Sequence, residues 1–222
     1  MKGNERRQTQ FSEVLRSISY NSRCTIVLAI TKLLTPSLYK NLMNPNLLGP
    51  APCRPMINYI KTNLSQNLVG AEVGVYAASN AFSILTNLHL KRLYLVDSYV
   101  PYCDGDGTAV YPERKFAQAK AKLKRFSNVK WIKEKSAQAA LKIKEPLDFA
   151  YIDANHCYSA VKQDIQAFYP LIREGGVLGG HDFVTRYMGV IRAVCEFAVA
   201  DGLDLFVEQP DWWIIKGGEK TG

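Results

Sequence analysis

The chain has 222 residues, of which 47% are hydrophobic and 22% charged, and a formal net charge of +8. This composition is typical of a globular protein with a sizeable core, and the length is compatible with one large α/β domain. No stretch approaches the ~18 continuous apolar residues of a membrane span, and the N-terminus lacks the apolar region of a signal peptide. Five cysteines without a close pair argue against a disulfide scaffold or a zinc ribbon. We therefore expect a cytoplasmic protein with no membrane partner.

The first 60 residues show helical rather than strand periodicity. Apolar residues recur at helical spacing near the start: Phe11, Val14, Leu15 and Ile18. A second apolar run, 26–34, predicts another helix. Prolines then predict a loop: Pro45, Pro50, Pro52 and Pro55. We expect residues 1–60 to form a helical extension that either covers a sheet edge or forms a substrate lid, and residues 61–222 to form the main domain.

Strand and helix patterns alternate in the main domain. Short apolar runs predict strands over 69–76, 92–97, 129–132, 147–153 and 177–180. Helices are predicted over 77–88, 112–126, a short segment from Ser136, 158–171 and 185–200. The last two strands, 203–208 and 212–216, have too short a connection for a parallel crossover, so the final strand must be antiparallel. The prediction is an α/β fold: a Rossmann-like, doubly wound, mostly parallel seven-stranded sheet with one antiparallel strand near the C-terminus.

The positive charge is concentrated in residues 111–144, which contain eleven Lys/Arg and two Glu. A solvated helix face explains this excess, and the alternative is attraction of an anionic substrate or nucleic acid. Few aromatic residues interleave with these cations, which weakens the case for base stacking. We do not expect a nucleic-acid partner.

Two apolar strands end in an acid and a histidine. Asp153 and His156 follow the strand 147–153, and His181 and Asp182 follow the glycine-rich strand ending at residue 180. Ligands of parallel α/β sheets collect at the carboxyl ends of strands, so we expect Asp153 and Asp182 to lie side by side in one site. Two carboxylates suit a hard cation such as Mg²⁺.

Other polar residues near these strands have open roles. Asp104 and Asp106 lie on a glycine-rich loop that either folds over the site, where one would supply a third metal ligand, or carries solvated acids. His181 either contacts substrate or points into the sheet. We expect His89 to be structural.

The first strand ends in a turn suited to a cofactor. Gly74 lets the backbone pass close to a ligand, and the following helix offers free N–H groups. Asp97 ends the second strand, where an acid can accept hydrogen bonds from ribose hydroxyls. Alternatively, Gly74 serves a tight turn and Asp97 caps a helix or loop. A single glycine makes the dinucleotide fingerprint weak.

A set of motifs carries a family resemblance: 71–76, 94–98, 135–137, 151–158 with Asp164, and 175–182. On these motifs the segment 69–216 resembles class I S-adenosylmethionine (SAM)-dependent methyltransferases. It is most similar to the branch related to macrocin O-methyltransferase, whose members modify small molecules and sugars. The first 60 residues lie outside the resemblance.

The resemblance implies SAM as cofactor and assigns residues to it. Glu72 and Gly74 would line the methionine end, Asp97 would hold the ribose, and Ser136 would lie beside the adenine. The remaining predicted cofactor contacts are Tyr76, Ser79, Ser98 and Asp153. The chain departs from the family in having alanine at 77 and 78, where a glycine is usual, which would narrow the pocket.

The resemblance also assigns the chemistry. Asp153 and Asp182 would bind Mg²⁺ or another divalent cation, and His156 would be the general base, with Asp153 as its catalytic partner. A hydroxyl is a poor nucleophile at neutral pH and needs a base, a metal or both. We therefore predict a SAM-dependent O-methyltransferase that acts on a small molecule or sugar; a homo-oligomer is compatible with the sequence. The alternatives are an NAD-dependent oxidoreductase and a non-catalytic cofactor- or nucleic-acid-binding module.

Overall fold

A seven-stranded sheet forms the centre of the computed structural model, which describes residues 53–217. The strands are β1 (Leu68–Val73), β2 (Leu90–Val96), β3 (Tyr102–Cys103), β4 (Ala109–Val110), β5 (Val129–Ile132), β6 (Leu147–Ile152), β7 (Ile172–Gly180), β8 (Leu205–Glu208) and β9 (Asp211–Ile215). The sheet order is β5-β2-β1-β6-β7-β9-β8, and β3 and β4 form a separate antiparallel ribbon. Strand β9 is antiparallel to both neighbours, and the pairs from β5 to β7 are parallel. The predicted fold class is confirmed for the sheet.

Helices cover both faces of this sheet. They are α1 (Pro55–Asn63), α2 (Ser79–Asn87), α3 (Lys115–Leu123), α4 (Ser136–Ala140), α5 (Tyr158–Phe168) and α6 (Met188–Ala200). Apolar residues of α1, α2 and α3 share one core with Phe149 and Tyr151 of β6. Helix α5 packs against α4 and α6 on the opposite face. Strands β1 and β6 are therefore buried between two layers.

Helix α1 corrects the prediction of a loop at Pro55. Proline is tolerated at the first position of a helix, where its missing N–H would have no intrahelical partner. Met56, Ile57 and Ile60 are each at most 1% exposed, so this short helix is fixed by its apolar face. The helices predicted within residues 11–18 and 26–34 lie outside the described residues.

Several other boundaries differ slightly from the sequence pattern. Strand β7 begins at Ile172 rather than 177, and the helix predicted over 158–171 changes to a 3₁₀ turn at Tyr169–Leu171. A second 3₁₀ turn, Thr185–Tyr187, precedes α6. Among the described helices, none is long and apolar enough to cross a membrane. The cysteines of the described segment are free: Cys53, Cys103, Cys157 and Cys195.

Candidate active site

The carboxyl ends of β6 and β7 bring two acids and a histidine together. The strands are paired up to Ile152 and Gly180, so the residues that follow lie side by side. One ligand atom from each of Asp153, His181 and Asp182 lies within 4.8 Å of the others. The two carboxylates are thus neighbours, as the strand-end argument predicts, and His181 completes a possible three-donor metal site.

A backbone turn explains how the consecutive residues His181 and Asp182 both contribute to this cluster. Adjacent side chains of an extended strand point to opposite faces of the sheet. The N–H of His181 still donates to the carbonyl of Ile152, but Asp182 has φ of +60°, in the left-handed region. The turn leaves Nδ1 of His181 3.1 Å from Oδ2 of Asp182. Left-handed backbone costs roughly 1 kcal/mol or more for a non-glycine residue and is concentrated at functional sites.

Arg54 enters the site from the residue before α1. Its Nη1 donates to Oδ2 of Asp153 at 2.7 Å and to the hydroxyl of Tyr151 at 3.0 Å. The Tyr151 hydroxyl in turn donates to Asp211 at 2.7 Å. Arg54 was not among the predicted site residues, because it lies in the proline-rich segment that the resemblance does not cover.

His156 lies between two sets of carboxylates. Its Nδ1 is 2.9 and 2.8 Å from the two oxygens of Asp104, and its Nε2 is 2.8 Å from Oδ2 of Asp182. The latter contact has an ion-pair distance but not the alignment of a hydrogen bond. Oδ1 of Asp153 is 3.9 Å from Nε2. One ring nitrogen therefore faces the Asp104 loop, and the other faces the three-donor cluster.

The charges in this cluster shift the pKa values of its acids and histidines. Burial lowers the pKa of His156, but the carboxylates of Asp153, Asp182 and Asp104 raise it to about 11. Burial opposes ionisation of Asp153 and Asp182, yet the neighbouring cationic groups hold both pKa values below their usual range. The pKa of His181 is raised as well, since Asp182 outweighs burial. These neighbours therefore favour ionised carboxylates at Asp153 and Asp182 and a protonated imidazole at His156.

The glycine-rich loop between β3 and β4 folds over the site. Asp104 is 8% exposed and contacts His156, so the solvated-acid alternative is wrong for this residue. Asp106 is exposed and accepts a hydrogen bond of 2.6 Å from Nη2 of Arg186. Neither belongs to the three-donor cluster found among the described residues.

The turn after β1 lies against the loop that carries Asp153. Gly74 has φ of +91°, and its N–H donates to the carbonyl of Val96 at 2.8 Å. A Cβ atom at this position would lie 2.1 Å from the carbonyl oxygen of Asp153, which leaves room only for glycine. The sequence predicts close approach of a ligand at Gly74, whereas the close neighbour in the structure is the backbone of Asp153. This contact joins the candidate cofactor turn to the candidate catalytic loop.

Asp97 holds the same turn in place. Its Oδ2 accepts hydrogen bonds from the backbone N–H groups of Val75 at 3.0 Å and Tyr76 at 2.8 Å, and its Oδ1 accepts one from Tyr99 at 2.7 Å. A carboxylate offers about four lone-pair positions, so acceptor capacity remains for a ligand hydroxyl. Asp97 thus serves the local structure of the loops, which is the alternative role, and can also contact a ligand.

Glu72 lies beneath this turn and is 1% exposed. Its Oε1 accepts a hydrogen bond of 2.9 Å from Nδ2 of Asn80, whereas Oε2 has no partner among the described residues. Burial raises the pKa of Glu72 to about 8. A buried carboxyl oxygen without a partner is unusual and is compatible with a ligand group that approaches it.

The remaining predicted cofactor contacts have varied surroundings. Tyr76 is 47% exposed at the turn. The Ser98 hydroxyl accepts from the N–H of Val100 at 3.4 Å, and Ser136 hydrogen-bonds the buried Asp164. The Ser79 hydroxyl accepts a hydrogen bond of 2.9 Å from Lys122 on α3, so the structure ties it to a neighbouring helix rather than to the other predicted contacts.

Ala78 shows what the departure from the family motif means. It has φ of +59° and is fully buried, so an alanine occupies a left-handed position that glycine adopts without strain. Its methyl group belongs to the apolar core rather than to an open pocket. Alanine in place of glycine at position 78 therefore raises the backbone strain at the start of α2.

The comparisons with known proteins agree with this geometry. A family model described as "Methyltransferase domain" matches residues 70–183, just over half of the chain. The chain belongs to this methyltransferase family, and it is a SAM-dependent methyltransferase with a Rossmann-like fold. The oxidoreductase alternative is not supported. No curated protein sequence matches the chain.

Solved structures with the same fold are distant in sequence. A TDP-rhamnose 3′-O-methyltransferase of calicheamicin biosynthesis has a TM-score of 0.55 at 13% identity, over 96% of this chain and 94% of that chain. A Streptococcus mutans protein described as a methyltransferase, solved with S-adenosylhomocysteine (SAH), has a TM-score of 0.54 at 15% identity, covering 74% and 97%. A precorrin-8w decarboxylase of Methanobacterium thermoautotrophicum has the same TM-score, 0.54, and identity, 15%, covering 78% and 93%.

Proposed function

We propose that this protein is an O-methyltransferase that transfers the methyl group of SAM to a hydroxyl of a small molecule or sugar, assisted by a divalent cation. The observation that carries this proposal is the position of His156, whose Nε2 lies 2.8 Å from Asp182 beside the Asp153–His181–Asp182 cluster. A base next to a cation site is what activation of a hydroxyl requires.

The residues around Gly74 fit the nucleoside and methionine parts of SAM. SAM supplies an activated methyl group when bound. Asp97 would accept hydrogen bonds from the ribose hydroxyls. Glu72 lies buried beneath the turn, and one of its oxygens has no partner within residues 53–217. Because Gly74 contacts the backbone of Asp153, a cofactor held by this turn would lie next to the catalytic loop. Such proximity is what an in-line transfer needs.

Asp153, His181 and Asp182 fit a divalent cation. A cation bound here would lower the pKa of a coordinated hydroxyl. Two carboxylates suit Mg²⁺, as the sequence predicts, while the imidazole nitrogen adds affinity for borderline cations such as Mn²⁺. Arg54 already neutralises one oxygen of Asp153, which leaves the other oxygen facing the cluster.

His156 would accept the hydroxyl proton at Nε2. Three neighbouring carboxylates raise the pKa of His156 in spite of burial. Pairing Asp153 and Asp182 with a cation removes most of that cause, so the imidazole can be neutral when the acceptor hydroxyl arrives. The ring of Tyr187, with its centroid 4.2 Å from that of His156, restricts the orientation of the imidazole.

The class of acceptor follows from the family resemblance and one structural neighbour. The TDP-rhamnose 3′-O-methyltransferase matches nearly the whole length of both chains. Sugar hydroxyls are therefore the first acceptors to test, with TDP-rhamnose as the initial probe.

Substitution of His156 provides the test. We expect His156→Ala to abolish SAH formation from SAM with a panel of nucleotide sugars and phenolic glycosides in the presence of MgCl₂ or MnCl₂, while SAH still binds in calorimetry. His89→Ala is the matched control, because His89 is exposed and lies before β2, at the opposite edge of the sheet. Equal turnover of His156→Ala and His89→Ala would contradict the role of His156, and failure of the wild type to bind SAH would contradict the cofactor site.

A further inference from the structure

Asp104 makes an unusually complete set of contacts with His156. Oδ1 of Asp104 accepts hydrogen bonds of 2.8 Å from the backbone N–H groups of both Gly105 and His156. Oδ2 of Asp104 lies 2.8 Å from Nδ1 of the His156 ring. A single carboxylate thus fixes both the main chain and the ring of His156.

The rest of the loop is built around the same histidine. A Cβ atom on Gly105 would lie 2.6 Å from the carbonyl oxygen of His156, so the loop backbone packs directly on the His156 backbone. Asn155 donates to the carbonyl of Cys103 at 2.9 Å, which ties the two loops together on the other side. With Asp104 only 8% exposed, its contacts with His156 are shielded from water.

This geometry determines which ring nitrogen carries the proton when the imidazole of His156 is neutral. A carboxylate can only accept hydrogen bonds, so Nδ1 of His156 must be protonated to interact favourably with Oδ2 of Asp104. The lone pair of a neutral imidazole then lies on Nε2, the nitrogen that faces Asp153 and Asp182. The hydrogen bond at one ring nitrogen sets the chemistry available at the other.

We propose that Asp104 is a positioning residue that holds His156 in the Nδ1–H tautomer and directs Nε2 toward the acceptor hydroxyl. This inference rests on the proposed role of His156 as general base. Asp104 touches neither the metal donors nor the cofactor turn in the contacts described above, and it acts through the imidazole.

Replacement of Asp104 by asparagine tests this role, because the backbone fixes the orientation of the new amide. The two backbone N–H groups require an acceptor at the Oδ1 position, so the amide oxygen of Asp104→Asn must remain there. The amide NH₂ group then replaces Oδ2 and faces Nδ1 of His156. The amide oxygen stays 2.9 Å from Nδ1, but the negative charge that stabilises a proton there is lost and a donor now faces the ring nitrogen at 2.8 Å. The Nδ1–H tautomer of the neutral ring should therefore lose its preference over the Nε2–H tautomer.

The readout is the protonation of the imidazole nitrogens in long-range ¹H–¹⁵N NMR spectra of the full, ¹⁵N-labelled chain. The chain has three histidines, so His156→Ala assigns the signal directly. Spectra are recorded with saturating MgCl₂, which pairs with Asp153 and Asp182, and at a pH where the His156 ring is neutral. Under these conditions we expect a proton on Nδ1 and none on Nε2 in the wild type, and a shift of the proton toward Nε2 in Asp104→Asn. Asp106→Asn makes the same chemical change on the same loop, at an exposed residue paired with Arg186, and should leave the signal unchanged.

The possible results separate this inference from the proposed function. A wild-type Nδ1 without a proton, or an Asp104→Asn spectrum like that of the wild type, overturns the role of Asp104 even if SAH binds and methyl transfer occurs. Reversal of the tautomer supports it, whether or not SAH binds in parallel calorimetry. If Asp104→Asn does not fold, the wild-type spectrum of the neutral ring decides, because it must show a proton on Nδ1 and none on Nε2.

Discussion

At the scale of single residues, Glu72 is buried and has one carboxyl oxygen without a partner in the part of the chain that the structure describes. Its pKa is raised by burial from an ordinary value of 4.5 to about 8. Between these values the folded protein keeps a proton that the unfolded chain releases. The contribution of Glu72 to stability is therefore fully present below about pH 4.5 and is lost as the pH rises through about 8.

We expect Glu72→Gln to be more stable than the wild type at pH 8 and similar to it at pH 4.5. Glutamine has no titrating proton, so the difference in free energy of unfolding should grow with pH, by at most about 1.4 kcal/mol per pH unit. Urea unfolding of the cofactor-free proteins measures it. Glu208→Gln, at an exposed glutamate of β8, is the control and should follow the wild type. Parallel pH profiles for Glu72→Gln and the wild type would show that Glu72 is not protonated by burial.

Single residues also show where sequence reasoning stops. The pairing of Asp153 with Asp182 is predictable, because both follow apolar strands of a parallel sheet. The contribution of His181 is not, because its direction depends on the left-handed turn at Asp182, which no local pattern indicates. Asp104 lies in a long polar loop without periodicity, and its contact with His156 arises only from how that loop folds back.

At the scale of elements, α1 holds Arg54 in the candidate site. The helix is anchored by its buried apolar residues, and the N–H of Met56 donates to the buried Asp211 at 3.1 Å. Arg54, immediately before α1, is thereby placed against Asp153. Pro55, one of the prolines that indicate a loop in the sequence, is the first residue of this helix, because the first turn of a helix tolerates proline.

We expect Arg54→Gln to destabilise the cation-free protein by roughly 1 to 3 kcal/mol, because it removes the hydrogen-bonded guanidinium partner of the Asp153 carboxylate. MgCl₂ or MnCl₂ should recover more stability in this variant than in the wild type, since a bound cation replaces the missing positive charge. Thermal unfolding with and without each salt measures this recovery.

Arg173→Gln is the matched control for this comparison. Arg173 forms a similar pair, at 2.6 Å, with Asp148, which lies at the start of β6 rather than at its end. Loss of this pair should not be recovered by divalent cations. If the salts stabilise Arg54→Gln no more than Arg173→Gln, the cation does not bind at Asp153.

Helix α3 and its flanks account for the concentration of basic residues. Lys120 lies over the rings of Phe116 and Trp131, and Arg125 lies over Phe82 and Phe126. The aromatic residues of this region therefore pack against lysine and arginine side chains. These contacts favour the solvated-face interpretation of the charge, and the absence of a nucleic-acid partner remains a prediction.

At the scale of the molecule, the sheet determines where the site lies. The alternation of strands and helices and the short final hairpin are enough to predict the sheet and its antiparallel strand. The parallel arrangement then puts the turns after β1, β2, β6 and β7 at one edge, which is why residues far apart in sequence meet there. The loop conformations and the methyl acceptor cannot be predicted in this way, because they depend on contacts that leave no periodic pattern in the sequence.

The most direct test of this account is a crystal structure of the full chain with SAH and MnCl₂, with anomalous scattering used to locate manganese. We expect the ribose hydroxyls of SAH against Asp97, and a manganese peak between Asp153, His181 and Asp182 with His156 beside it. A nucleoside bound away from Asp97, or manganese bound elsewhere while this cluster stays empty, would contradict the account.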